Sequence, residues 1–196
     1  MYEFLPAFVI GNGTSRSDFE LSKLNDNGII YGCNALYRDF TPDYLVAIDD
    51  GIIEEITKSD FPEEQCLFPP MEERWEPAEC NPGKPRSNAG INAVLEAIKK
   101  GHKSIYGLGF DFLVKGNQSI SNMYDGTENY TPETRATVHD SNGRTRYLEY
   151  VADKNPDVKF TFVFPAGVFD FIYLKPKNIR GMFYSDFEEA LSGSIE

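Results

Sequence analysis

Three short apolar runs, each stopped by a small or polar residue, constrain this chain more than any other feature. Phe8-Val9-Ile10 runs into Gly11-Asn12-Gly13-Thr14-Ser15, Ile29-Ile30-Tyr31-Gly32-Cys33 into Asn34, and Tyr44-Leu45-Val46-Ala47-Ile48 into Asp49-Asp50-Gly51. Continuous rather than alternating apolar runs suit strands covered on both faces, as in a parallel sheet. Two further strands are expected at 103–109 and 158–164, with helices between. Ser87-Asn88 supply an N-cap for a helix whose Ile91, Val94, Leu95 and Ile98 share one face and which Gly101 ends. A second helix is expected over 140–154, with Tyr147, Leu148 and Val151 inward. Strands alternating with helices predict an α/β fold: three-layer, Rossmann-like, mostly parallel, with helices on both faces.

Two stretches break the alternation. Six prolines between Asp60 and Arg86 (Pro62, Pro69, Pro70, Pro77, Pro82 and Pro85) exclude regular elements, so 60–86 reads as an irregular flap, with Phe61, Leu67, Phe68 and Trp75 packing part of it. Residues 113–136 form a long polar loop of the kind that carries function. The tail holds a possible strand at Phe171-Ile172-Tyr173 and an amphipathic turn at 187–191. A length of 196 residues fits one domain over 1–196.

The formal charge of −12 repels phosphate backbones and anionic lipid heads, which argues against general nucleic-acid or membrane-surface binding. Close contacts in a pocket escape that screened far field. Cys33, Cys66 and Cys80 have no paired spacing and read as reduced thiols. No apolar run approaches the roughly 20 residues that span a bilayer. Together these predict a cytoplasmic protein; assembly into identical copies is left open.

In parallel α/β sheets ligands gather at the carboxyl ends of strands. Gly11 and Gly13 leave room for close backbone approach and N–H groups for phosphate oxygens, while Asn12, Thr14 and Ser15 add an amide and hydroxyls. A plain tight turn explains the same residues. Asn34 and Asp49 are placed to address ribose hydroxyls or a base edge, and Asp49 with Asp50 could hold Mg²⁺ through oxygen ligands; a turn at Asp49-Asp50-Gly51 is the bland alternative. His139, between the polar loop and a helix, carries an imidazole that could take a proton from a hydroxyl. His102 reads as capping a helix or facing solvent.

Taken in order, these pieces resemble the bacterial sialyltransferases of glycosyltransferase family 42. The family's Gly-Asn-Gly-Pro-Ser is matched by Gly11-Asn12-Gly13-Thr14-Ser15, and its Cys-Asn by Cys33-Asn34. The run from Arg86 to Leu113, closing on Gly107-Leu108-Gly109-Phe110-Asp111-Phe112, follows its central helix and strand, and His139-Asp140-Ser141 its catalytic His-Ser. The resemblance implies metal-independent, inverting transfer from a CMP-activated or similar nucleotide sugar to a hydroxyl acceptor, with no cofactor beyond the donor. By that analogy Asn12 and Asn34 contact the nucleotide, Ala89-Gly90 the nucleotide or sugar, and His139 is the base. Arg86, Asn88, Asp111 and Tyr124 complete the candidate binding set. Thr14, Asp49 and Leu113 stand where the family has Pro, Asn and a phosphate-binding Tyr, the last replaceable by Tyr124 or Tyr130; the segment 49–86 is shorter. Two other readings are a Mg²⁺-dependent, pyrophosphokinase-like nucleotide enzyme and a non-catalytic nucleotide binder.

Overall fold

The computed structural model describes residues 2–80, 88–114, 122–167 and 174–193. The expected strands appear as β1 (Ala7–Ile10), β2 (Ile29–Cys33), β3 (Tyr44–Val46), β5 (Ser104–Leu108) and β6 (Lys159–Phe164). Two more join them: β4 (Cys66–Leu67), inside the flap, and β7 (Ile179–Phe183). All seven pair in parallel in one sheet of order β4-β3-β2-β1-β5-β6-β7. The chain builds outward from β1 to β4, crosses back to lay β5 on the other side of β1, and builds outward again. The order therefore reverses between β1 and β5, which is where such sheets open a crevice.

Side-chain alternation along β1 sends Ala7 and Val9 to one face and Phe8 and Ile10 to the other, and each face has its own core. Helices α2 (Ala89–Lys99) and α3 (Val138–Lys154) cover the first face through Val94, Ala97, Leu148 and Val151. Helices α1 (Asp50–Thr57) and α4 (Tyr184–Ser192) cover the second through Ile52, Ile56 and Phe187. The fold is thus a three-layer α/β sandwich, as the alternation of apolar runs predicts.

Helix ends follow local chemistry. The Asn88 side chain accepts the Ile91 N–H at 3.0 Å, capping α2, and Gly101 takes a φ of +95° beyond its end. Thr137 and Asp140 form a reciprocal capping box that starts α3 at Val138, two residues before the sequence-based boundary. Helix α1 begins where the sequence suggested only a turn: Ile52 and Ile56, four apart, bury one stripe against the sheet. Strand β7 was not expected because Arg180 and Gly181 interrupt its apolar pattern, which an edge strand with exposed residues tolerates. The amphipathic turn at 187–191 is the body of α4. The possible strand at 171–173 lies outside the described residues.

His102 caps the end of α2, its backbone N–H donating to Ala97 O at 3.2 Å, but its side chain does not face solvent. It is 1% exposed, with Nδ1 donating to Leu5 O at 2.7 Å and Nε2 accepting from the Tyr31 hydroxyl at 3.0 Å. It plugs the amino end of the sheet, far along the strands from the crevice. Among the described residues no helix is long and apolar enough to cross a membrane.

Candidate functional site

The carboxyl ends of β1, β2, β3 and β5, the start of α2 and the segment before α3 enclose a cavity of about 570 Å³. That size suits a nucleotide-sized ligand. Gly11, Asn12 and Gly13 line it from the β1 loop, Asn34 and Asp49 from the tips of β2 and β3. Asn88, Ala89 and Gly90 line it from the first turn of α2, and Asp111 from the tip of β5. Residues more than 70 positions apart in the chain are brought together by the reversal between β1 and β5. Ala89 and Gly90 are the first two residues of α2, so their N–H groups have no carbonyl in the helix's own ladder. Ile48, Ile52, Phe110 and Phe112 add an apolar wall.

The glycine loop differs in one respect from a phosphate cradle. Gly11 N–H donates to Leu108 O at 2.8 Å and Gly13 N–H to Gly109 O at 3.0 Å. Ser15 N–H donates to Asp111 Oδ2 at 3.1 Å, and Thr14 Oγ1 to the same oxygen at 3.5 Å. These four donors of the loop, expected to meet an external anion, are therefore engaged by the β5 tip and its carboxylate. Burial pushes the Asp111 carboxyl above its ordinary range, against the opposing pull of these hydrogen bonds. The loop needs glycine for this packing. A Cβ on Gly13 would lie 2.3 Å from Asp111 Oδ1 and 2.6 Å from Gly109 O, and Gly109 itself takes a φ of +72°. Beneath the loop the buried Arg16 side chain ties Gly11 O at 2.7 Å and the Tyr124 hydroxyl at 3.4 Å.

At the tips of β1 and β2 two asparagines hold fixed poses. Asn12 Nδ2 donates to Cys33 O at 3.0 Å, and Asn34 Nδ2 donates to Asp49 Oδ2 at 2.8 Å. Both partners are acceptors, so each amide nitrogen is unambiguous, and each Oδ1 is left buried without a partner. Asn34 takes a left-handed φ of +50°, a conformation asparagine tolerates better than most residues.

The described part of the polar loop, from Asn122 onward, forms a roof. It is stitched to the β1 loop by a bridge between Gly13 and Asn122 and by Met123 N–H on Asn12 O at 2.8 Å. A second anchor is Arg38, which makes a two-pronged bond to Glu55, donates to Thr127 Oγ1 at 2.8 Å and Glu128 O at 3.1 Å, and lies over the rings of Tyr124 and Tyr130. Asn129 Nδ2 adds a bond to Glu55 Oε2 at 2.8 Å. The Arg38 guanidinium, more than any other neighbour, holds the Glu55 carboxyl down to about 2. The roof brings Asp125, Tyr130 and Arg135 into the cavity wall, and α3 brings Arg144. Arg135 pairs with Asp125 at 2.7 Å. Burial pushes the Tyr130 hydroxyl up to about 12; it sits beside Asn34 and Asn12 without a well-formed hydrogen bond to either.

Three candidates do not reach the wall. His139 is exposed, on the α3 stripe with Asn142 and Arg146, while Ser141, Thr145 and Leu148 face inward. Packing of α3 on the sheet through Leu148 and Val151 sets that rotation, so the imidazole lies outside the cavity lining. Tyr124 is buried under the roof between Arg16 and Arg38, and Tyr130 occupies the wall in its place. Ser15 contributes its N–H to Asp111 and keeps its hydroxyl buried behind the loop. Arg86 lies outside the described residues. Asp50 pairs with Arg74 at 3.2 Å, and among the described residues no three Asp, Glu, His or Cys side chains converge.

Sequence reasoning marked the loop over 113–136 but not which of its side chains turn inward. Arg144 had a visible signal: an arginine three residues after Ser141 and four before Leu148 lies near the inward stripe of its helix. Comparison with protein-family models, curated proteins and solved structures finds no match for this chain.

Proposed function

We propose that the crevice between the β1 and β5 tips binds a nucleotide or nucleotide sugar. One observation carries the reading: the residues singled out from separate strand ends, Asn12, Asn34, Asp49 and Asp111, and Gly90 from the start of α2, line a single cavity at the point where the strand order reverses. The apolar wall of Phe110 and Ile52 suits a base or sugar ring. Arg135 and Arg144 supply cations that the engaged glycine loop does not.

Glycosyl transfer, the reaction implied by the family 42 resemblance, also needs a proton acceptor beside the donor. His139 stands off the wall in this arrangement, so binding is the better supported half of that reading. A Mg²⁺-dependent reaction built on Asp49 and Asp50 is supported less, since Asp49 lines the cavity while Asp50 pairs with Arg74 outside its lining.

The test is a thermal-shift panel of CMP, UMP, GMP, AMP and CMP-sugars. A ligand at a hundredfold excess over its dissociation constant adds about 2.7 kcal/mol to the stability of the folded form. The expected result is a clear rise with at least one nucleotide, reduced in Arg144→Gln. No shift with any member overturns the reading. His139→Ala is expected to leave the shift unchanged.

A further inference from the structure

The tips of β1 and β2 hold, at the edge of the cavity, two buried acceptors that have no well-formed donor. Asn12 and Asn34 turn their nitrogens to Cys33 O and Asp49 Oδ2, and both amide oxygens are buried and unpartnered. Asn34 is only 8% exposed. Beside Asn34 stands the Asp49 carboxylate, steadied by that residue on one oxygen. The Tyr130 hydroxyl beside them carries a single proton and cannot serve two amide oxygens at once. A folded protein rarely leaves buried acceptors unmet unless a water or ligand completes them. The same group of oxygens disfavours an anion, because a phosphate beside Asp49 meets like charge and no donor.

From this polarity we infer that the Asn12–Asn34–Asp49 corner takes the vicinal diol of a ribose, whose two adjacent hydroxyls donate to Asp49 and to an orphaned amide oxygen. The inference rests on the nucleotide reading and sharpens it. The site selects ribonucleotides over 2′-deoxyribonucleotides, and Asp49 sets that selectivity. A carboxylate at a strand end is chemically suited to the task, since it accepts from a sugar hydroxyl without needing to give up a proton. The ligand is thereby oriented, with the diol at the β1–β3 tips and its phosphate turned toward the arginines of the roof and α3. An exocyclic amino group of a base is the competing donor, and the test separates the two.

The experiment measures dissociation constants of CMP, 2′-deoxy-CMP, AMP and 2′-deoxy-AMP for the full chain by calorimetry, in wild type, Asp49→Asn and Asp49→Ala. Asp49 is exposed and makes no side-chain capping bond to α1, so both variants are expected to fold, with circular dichroism as the check. Wild type is expected to prefer each ribonucleotide at least tenfold over its deoxy form. In Asp49→Ala the ratio falls toward one, mainly through weaker ribonucleotide binding. Equal binding of ribo and deoxy forms by wild type, or an unchanged ratio in Asp49→Ala, overturns the inference while leaving the nucleotide reading intact. If no nucleotide binds, the nucleotide reading fails. The diol is then decided by ribose 5-phosphate against 2-deoxyribose 5-phosphate: an Asp49-dependent preference for the first upholds it, and equal or absent binding sinks it.

Discussion

The carboxylate of Asp111 accepts the backbone N–H of Ser15 at 3.1 Å across 96 residues of chain, so the tip of β5 sits inside the concave loop that follows β1. A loop that reads as a cradle for an external anion already holds an internal one. Its fold-level role is to lock the two strands at the point where the sheet order reverses.

That lock has a pH signature. Burial raises the folded carboxyl above its ordinary value, so the folded state holds the proton more tightly than the unfolded chain. The stability this group contributes is complete below about 3.9 and is lost as pH rises through the folded value. Asp111→Asn keeps an acceptor for Ser15 and has no charge to bury. Its melting temperature, relative to wild type, is expected to climb as pH goes from about 4 to about 7. A relative fall over that range would show that the carboxylate is held as a net-stabilised anion. Asp111→Ala strands the Ser15 N–H and is expected to cost about 1–3 kcal/mol.

Arg38 governs the roof. Its guanidinium joins Glu55 to residues 127 and 128 and covers two tyrosine rings, a geometry that lysine does not reproduce. Arg38→Lys and Arg38→Ala are expected to speed amide hydrogen exchange over 123–130 by at least tenfold and to weaken ligand binding, with the sheet unaffected. Because the folded Glu55 carboxyl is held down to about 2, chiefly by Arg38, its stabilisation is present above about 4.5 and lost as pH falls toward 2. Roof exchange in wild type, once corrected for the intrinsic pH dependence of exchange, should follow that loss. Protection that survives in both variants would mean that Arg38 does not hold the roof.

His102 ties stability to pH at the other end of the sheet. Burial is the foremost cause of its lowered pKa in the folded protein, so below about 6.5 the unfolded chain takes up a proton first. Stability from this group is full above that value and declines as pH falls toward the folded pKa. Wild-type melting temperature is expected to drop between about pH 7 and pH 5 by more than that of His102→Gln or His102→Phe. Each variant should also be less stable at pH 7, because Tyr31 or Leu5 loses its partner. Parallel pH curves for wild type and both variants would refute the assignment.

Much of what near neighbours set was legible in the chain itself, although α1 and the capping box that starts α3 were missed. Apolar runs closed by Gly11, Asn34 and Asp49 marked the strands, because burial on both faces demands continuous apolar residues. Asn88 and Gly101 marked the ends of α2, because capping is a bond across three or four residues. The rule that ligands gather at strand ends then singled out Asn12, Asn34, Asp49 and Asp111, and the family 42 resemblance added Gly90. Tertiary structure alone decided how those groups are used. Whether the Ser15 N–H faces a ligand or Asp111 depends on a strand about a hundred residues away, and local sequence carries no record of it. The rotation of α3 that turns Arg144 inward and His139 outward follows from helix packing on the sheet. The burial of His102 depends on Leu5 and Tyr31 closing over it. Local patterns select elements because their energies are local; the roles of polar groups are settled by partners that meet only once the sheet has formed.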